Sequence, residues 1–234
     1  MKFPTRIRLA PRAFEPEKFA AEELTKYLKR IYRHDVRILR STQTASREIS
    51  IEVRRRPKRQ VPIARADDAF EIMVRQDRVR LQGQTPRAAV YAVYSFLEEL
   101  GCRWFAPRYD FYRGIGHEHV PRLKQFEPAL GKRIWEPTFI YRKKLIEEAR
   151  THTLSNTVAL IEWMAKNRLN VLSAPLNYQH ENRFRWDDVR ETLAPEAQRR
   201  GLVIEVGGHG YDNFLHHEMF FEEHPDWFAL LNGK

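Results

Sequence analysis

Apolar residues recur at two spacings along this chain, and the change between them divides it into elements. Ile7 and Leu9 suggest a short first strand, followed by turn-like residues from Pro11 to Pro16. Ala20, Leu24, Tyr27, Leu28 and Ile31 then return at helical spacing, while Glu22, Glu23, Lys26, Lys29 and Arg30 take the other face. Shorter apolar runs follow at Val36–Leu39, at Ile49, Ile51 and Val53, at Phe70–Val74 and at Val79–Leu81, and these read as strands. Gln76-Asp77 stands between two of them as a hairpin turn. A second helix is punctuated at both ends: Thr85 suits its cap, Pro86 its first turn and Gly101 its left-handed stop. Ala89, Val93, Phe96, Leu97 and Leu100 line its inner face. Residues 1–107 are thus expected to form a small α+β domain with helices on a mostly antiparallel or mixed sheet.

Residues 108–137 are rich in Arg, Pro, Gly and His and poor in periodicity, as expected of a linker. From 138 to 234 the pattern becomes strand Phe139–Arg142, helix 155–166, strand Leu169–Ala174, helix 187–200, strand Leu202–Val206. That βαβαβ order predicts a parallel sheet with right-handed crossovers, in which ligands bind at the carboxyl edge of the strands. Arg142 is expected to end the first of these strands. Asn177, Tyr178 and His180 follow the second, and His209, Tyr211 and Asp212 follow the third, just after Gly207-Gly208. Such a rim offers donors, acceptors and aromatic faces, the combination that suits a sugar. Two readings stand for Arg142, a grip on hydroxyls or carboxylate and a structural pair with Glu205. His209 likewise reads as a sugar contact or as a ring tucked against a loop carbonyl.

The 234 residues carry 41 Lys and Arg against 31 Asp and Glu, a net charge of +10. The excess is dispersed except for Arg54-Arg55-Arg56-Pro57-Lys58-Arg59, which lacks interleaved aromatics and reads as a solvated loop, with a polyanion-binding site as the other reading. No nucleic acid or membrane partner is therefore expected, and the oligomeric state is open. There is no apolar run of about 18 residues or more and no apolar core in the first residues, so the chain as written reads as cytoplasmic, with a secreted form expected if an upstream start restores a leader. Cys102 is the single cysteine. Neither His117-Glu118-His119 nor His216, His217, Glu218 and His224 has diagnostic ligand spacing, so no metal and no cofactor are expected.

Two segments, Ala20–Leu28 (AAEELTKYL) and Gly83–Pro107 (GQTPRAAVYAVYSFLEELGCRWFAP), resemble the small domain that precedes the catalytic barrel in β-hexosaminidases and α-glucuronidases. Together with Gly-Gly-His-Gly at 207–210 and Glu223–Leu230 (EHPDWFAL), they most resemble the bacterial domain-of-unknown-function family 4838, over nearly the whole chain. The resemblance implies a hexosaminidase-type α+β domain followed by about three βα units of a TIM-type barrel, apparently truncated and poorly soluble alone. It implies a glycoside-hydrolase-like protein acting on complex carbohydrate, or a carbohydrate-binding scaffold on the same fold. Arg142 stands where those enzymes have a sugar-holding arginine, and Gly207-Gly208-His209 resembles their Pro-Gly-His while departing at the proline. Their catalytic acidic pair follows a fourth strand, so the catalytic residues are expected after Lys234.

Overall fold

The computed structural model describes residues 2–54, 65–112, 116–146, 153–175, 186–207, 215 and 217–228. Its strands are β1 (Arg6–Leu9), β2 (Arg37–Arg40), β3 (Glu48–Val53), β4 (Phe70–Val74), β5 (Arg78–Gly83), β6 (Arg103–Trp104), β7 (Glu118–His119), β8 (Gly131–Trp135), β9 (Lys143–Leu145), β10 (Val171–Pro175) and β11 (Val203–Gly207). Its main helices are α1 (Glu15–Tyr32), α2 (Pro86–Glu99), α3 (Leu154–Lys166) and α4 (Trp186–Arg199).

The first sheet has the order β2-β1-β3-β5-β4-β8. Four neighbours, β2, β1, β3 and β5, run parallel, and β4 turns back on β5 through Gln76-Asp77 in an antiparallel hairpin. Ile7, Leu9, Ile49, Ile51, Ile72 and Leu81 point to one side and are buried, as strand alternation requires. Both helices close on that side. The first turn of α1 is held by Glu17, whose Oε2 accepts from the Phe14 N–H at 2.9 Å, the half of a capping box that a Phe N-cap allows. Thr85 caps α2 by accepting from the Ala88 N–H, and Gly101 leaves it at φ 101°, the left-handed turn that its sequence position predicts.

Helix α2 departs from a one-sided amphipathic helix, because every residue from Ala88 to Tyr94 is fully buried. A helix buried all round needs partners on both sides. The second partner is a further layer: α3 packs on α2 and α4 packs on α1. Beyond them lies the second sheet, β11-β10-β9, parallel throughout. One hydrophobic cluster runs from Ile7 and Ile49 through Tyr91 and Phe96 to Leu160, Leu172 and Leu193. The layers are therefore sheet, helix pair, helix pair, sheet around a continuous core.

Two sequence expectations change. The segment 108–137 does not behave as a free linker, since β8 forms the edge of the first sheet with Trp135 stacked on Phe70 at 5.1 Å. Phe126 is buried against Phe3, Tyr32 and Phe96, and Arg133 pairs with Glu99 at 2.6 Å. The strand expected at Phe139–Arg142 is displaced along the chain and begins only after Arg142, at Lys143. Its predecessor folds into a turn, because the Arg142 guanidinium reaches back to the Phe139 carbonyl at 2.7 Å and Asn170 donates to the Ile140 carbonyl at 2.7 Å.

Glu118 is the polar pin of that wrapped segment. It accepts from the Tyr27 hydroxyl at 2.7 Å and from Arg30 at 2.8 Å, while Trp104 donates to Tyr27 at 2.9 Å. Burial pushes the Glu118 carboxyl up, but the Tyr27 and Arg30 donors outweigh burial and hold it below the ordinary carboxylate range. A carboxyl depressed in the folded state adds stability that is present above its unfolded value of about 4.3 and is lost as pH falls through the folded value. Glu118→Gln should therefore lower the melting temperature at pH 7 by roughly 2–8 °C, from about 1–2 kcal/mol lost. The difference should shrink toward zero near pH 3. Melting curves of both proteins at the two pH values check this, and an equal difference at both would refute it.

Candidate functional site

The second sheet sets two ends that differ in chemistry. Its register pairs Val171 with Lys143 and with Val203, and Pro175 with Gly207, so β10 and β11 end level and β9 ends beside Ser173. The three connections that follow these strands consequently leave from one edge, the carboxyl edge. The described residues there, Ile146, Ala174, Val206 and Gly207, are apolar. Of the residues expected to form the rim, Asn177, Tyr178, His209, Tyr211 and Asp212 lie outside the described residues.

Arg142 is found at the opposite, amino end of the sheet, which corrects its expected place. Its guanidinium is paired with Asp68, donates to the Arg168 carbonyl at 2.7 Å, and lies over the rings of Tyr91 and Trp135 at 5.8 and 5.9 Å. Asp68 closes the 3-10 turn Arg65–Asp68 before β4 and is completely buried. Its second oxygen accepts from Arg87 Nε of α2 at 2.6 Å, and Asn170 donates to the first at 3.0 Å. Asn170 also accepts from the Arg142 backbone N–H at 2.9 Å. Arg87 reaches the Gly201 carbonyl at 3.2 Å, and Tyr91 donates to the Leu169 carbonyl at 2.9 Å. One buried carboxylate thus ties the chain entering β9, β10 and β11 to α2.

The electrostatics fit a permanent structural centre. Burial disfavours charge on Arg87, and Tyr91 and Asp68 more than offset it, so its guanidinium is held more firmly protonated. Burial, reinforced by Asp68, pushes the Tyr91 hydroxyl up and keeps it a neutral donor. Gly201 meets this region closely: its φ is 74°, and a Cβ there would lie 2.7 Å from Arg87 Cβ. The Asp67-Asp68 pair escaped sequence reading because its only local sign was two carboxylates ahead of an apolar run.

Glu205 has a different partner from the one expected. It pairs with Lys143 at 3.1 Å on the face of the sheet away from α3 and α4, and both side chains are half exposed. Such a pair contributes about 0–1 kcal/mol. It spans β9 and β11 over Ser173 of β10, so it braces the strands without touching Arg142.

Among solved structures, the chain is similar to a family GH115 4-O-methyl-α-glucuronidase with specificity for decorated arabinogalactans, at 13% identity and a TM-score of 0.63, covering 88% of this chain and 29% of that one. It is similar to the GH20 exo-β-N-acetylglucosaminidase of Vibrio harveyi at 15% identity and a TM-score of 0.55, over 88% and 33%. A third is the GH20 β-N-acetylhexosaminidase of Streptomyces coelicolor A3(2), at 13% identity and a TM-score of 0.58, over 86% and 41%. The chain spans about a third of the length of these glycoside hydrolases, and the likeness is one of fold. No protein-family model matches the sequence, and no curated protein matches it.

Removing the carboxylate should expose the cost of the centre. Asp68→Ala leaves two buried guanidinium groups without a counter-charge, which costs about 3–5 kcal/mol. Glu205→Ala should cost about 1 kcal/mol or less. Urea unfolding of both variants measures this; an Asp68→Ala protein as stable as Glu205→Ala would show that the centre does not hold the layers together.

Proposed function

We propose that the chain is the sugar-facing amino-terminal portion of a glycoside-hydrolase-like protein that acts on complex carbohydrate. The observation that carries this reading is the parallel β9-β10-β11 sheet behind an α/β unit, an arrangement shared with GH115 and GH20 enzymes over most of this chain. The sheet corresponds to the opening βα units of a TIM-type barrel, whose ligand sites lie at carboxyl strand ends. The finer family assignment, domain-of-unknown-function family 4838, rests on the Gly83–Pro107, Gly-Gly-His-Gly and Glu223–Leu230 motifs together. The domain division at 1–107, 108–137 and 138–234 is retained, with 108–137 as a strap wrapped on the first unit.

In this reading Asn177, Tyr178, His209, Tyr211 and Asp212 form the carbohydrate rim. Amide, imidazole and carboxylate groups pair with hydroxyls, and the tyrosine rings lie against apolar sugar faces. Arg142 is proposed as the strut that aligns β9 and β10 beneath that rim, acting on sugar indirectly. Hydrolysis is proposed for the whole protein, with a general acid and an orienting carboxylate contributed after the next strand. A non-catalytic carbohydrate-binding role on the same fold is the alternative, because a fold and its grip residues do not imply chemistry.

Titration of the full protein with a panel of neutral oligosaccharides tests the rim. His209→Ala and Tyr178→Ala should each weaken binding about fivefold to tenfold, equivalent to one lost hydrogen bond of about 1 kcal/mol, and leave the melting temperature unchanged. Unchanged affinity in both variants would remove these residues from the site, and release of reducing sugar by the wild type would decide for hydrolysis over binding.

A further inference from the structure

The first sheet buries one face under α1 and α2, and its other face has a different composition. Strand alternation turns Arg6, Arg8, Arg78, Arg80, Arg37 and Lys132 outward together with Glu48, Glu52 and Glu71. The carboxylates are shared: Glu48 serves Arg6 and Arg8, Glu52 serves Arg8 at 2.7 Å, and Glu71 serves Arg54, Arg80 and Lys132. Cations still outnumber them. Nε of Arg80 is shielded from water and donates to no acceptor among the described residues. A hollow of about 200 Å³ opens over this grid, lined by Arg8, Glu48, Ser50, Arg75, Arg78 and Arg80. A second of about 140 Å³ lies beside Arg54, Glu71, Gln82 and Lys132.

We infer that this outer face is a second carbohydrate site, binding an anionic polysaccharide through its carboxylates. The arginine columns of β1 and β5 flank β3 and stand two strand spacings apart, roughly 9.5 Å. A polymer lying across the strands therefore meets guanidinium groups repeatedly, where a small anion would meet one. Guanidinium forks match planar carboxylates in bidentate contact. Ser50 of β3, between the columns, and Gln82, next outward along β5, are placed for hydroxyls. The outward strand positions hold no aromatic ring, so the stacking platform of a single-stranded nucleic acid site is missing. The choice of a glycan as the polymer rests on the carbohydrate function proposed above; the charge grid stands apart from the His209 rim.

Affinity electrophoresis of the full protein in gels carrying polygalacturonate tests the site, with chondroitin sulfate, poly(dT) and dextran as comparison polymers at one ionic strength. Polygalacturonate should retard the protein most, and dextran should not retard it through this face. Arg75→Gln with Arg78→Gln, both on the exposed rim of the hollow, should weaken retardation about fivefold to tenfold, and the corresponding double lysine variant should recover most of it. Melting temperatures of the variants should match the wild type. Undiminished retardation of the glutamine variant would overturn the proposal, and so would stronger retardation by poly(dT) or by chondroitin sulfate. Loss of neutral-oligosaccharide binding in the His209→Ala protein with polygalacturonate retardation intact would separate the two sites. A wild type that binds polygalacturonate through this face but no neutral sugar would refute the rim alone.

Discussion

Asp68 has no contact with water, and an ionised carboxylate in that position is tolerable only if its oxygens are fully engaged. Arg87, Arg142 and Asn170 engage them, and each belongs to a different part of the fold: α2, the approach to β9 and the approach to β10. Moving any of the three away would strand a buried charge, so their relative positions are coupled. Through Arg87 and the Gly201 carbonyl the same coupling reaches β11. The geometry of the second sheet is thus referred to the first unit at its amino end, where the polar groups are buried and satisfied.

That constraint works on top of a continuous apolar core. Helices α1 and α2 serve two sheets, one directly and one through α3 and α4, which explains why α2 tolerates no polar face across Ala88 to Tyr94. Tyr94 shows how polar atoms are accommodated there: its hydroxyl donates to Glu23 at 3.0 Å, and burial pushes its ionisation well up. The wrapped segment from Glu118 to Trp135 then covers the ends of the helices and adds an edge strand. A core of this kind transmits strain between the sheets, because close-packed layers shift together.

The molecule divides its chemistry by position. Buried, paired ions sit at the amino ends of β9 to β11, and the outer face of the first sheet carries a surplus of guanidinium groups. Fixing one end of a parallel sheet leaves the loops at the other free to vary in sequence without disturbing the strands. Glu205 and Lys143 lie between these regions as a half-exposed brace.

Local pattern determined a great deal on its own. Helical spacing from Ala20 to Ile31, the Thr85, Pro86 and Gly101 punctuation, the Gln76-Asp77 hairpin and the βαβαβ order after 138 each depend on neighbouring residues, so sequence alone reveals them. Tertiary structure alone decided the rest. The place of Arg142 depends on Asp68, 74 residues distant, and the edge strand Gly131–Trp135 exists because β4 offers it unpaired groups. The burial of α2 on both sides likewise needs a second helix layer, and the partner of Glu205 was settled by which cation the register of β9 brought within reach. Contacts between residues far apart in the chain leave no periodicity to read, and those contacts are what turned a candidate sugar ligand into the strut of the fold.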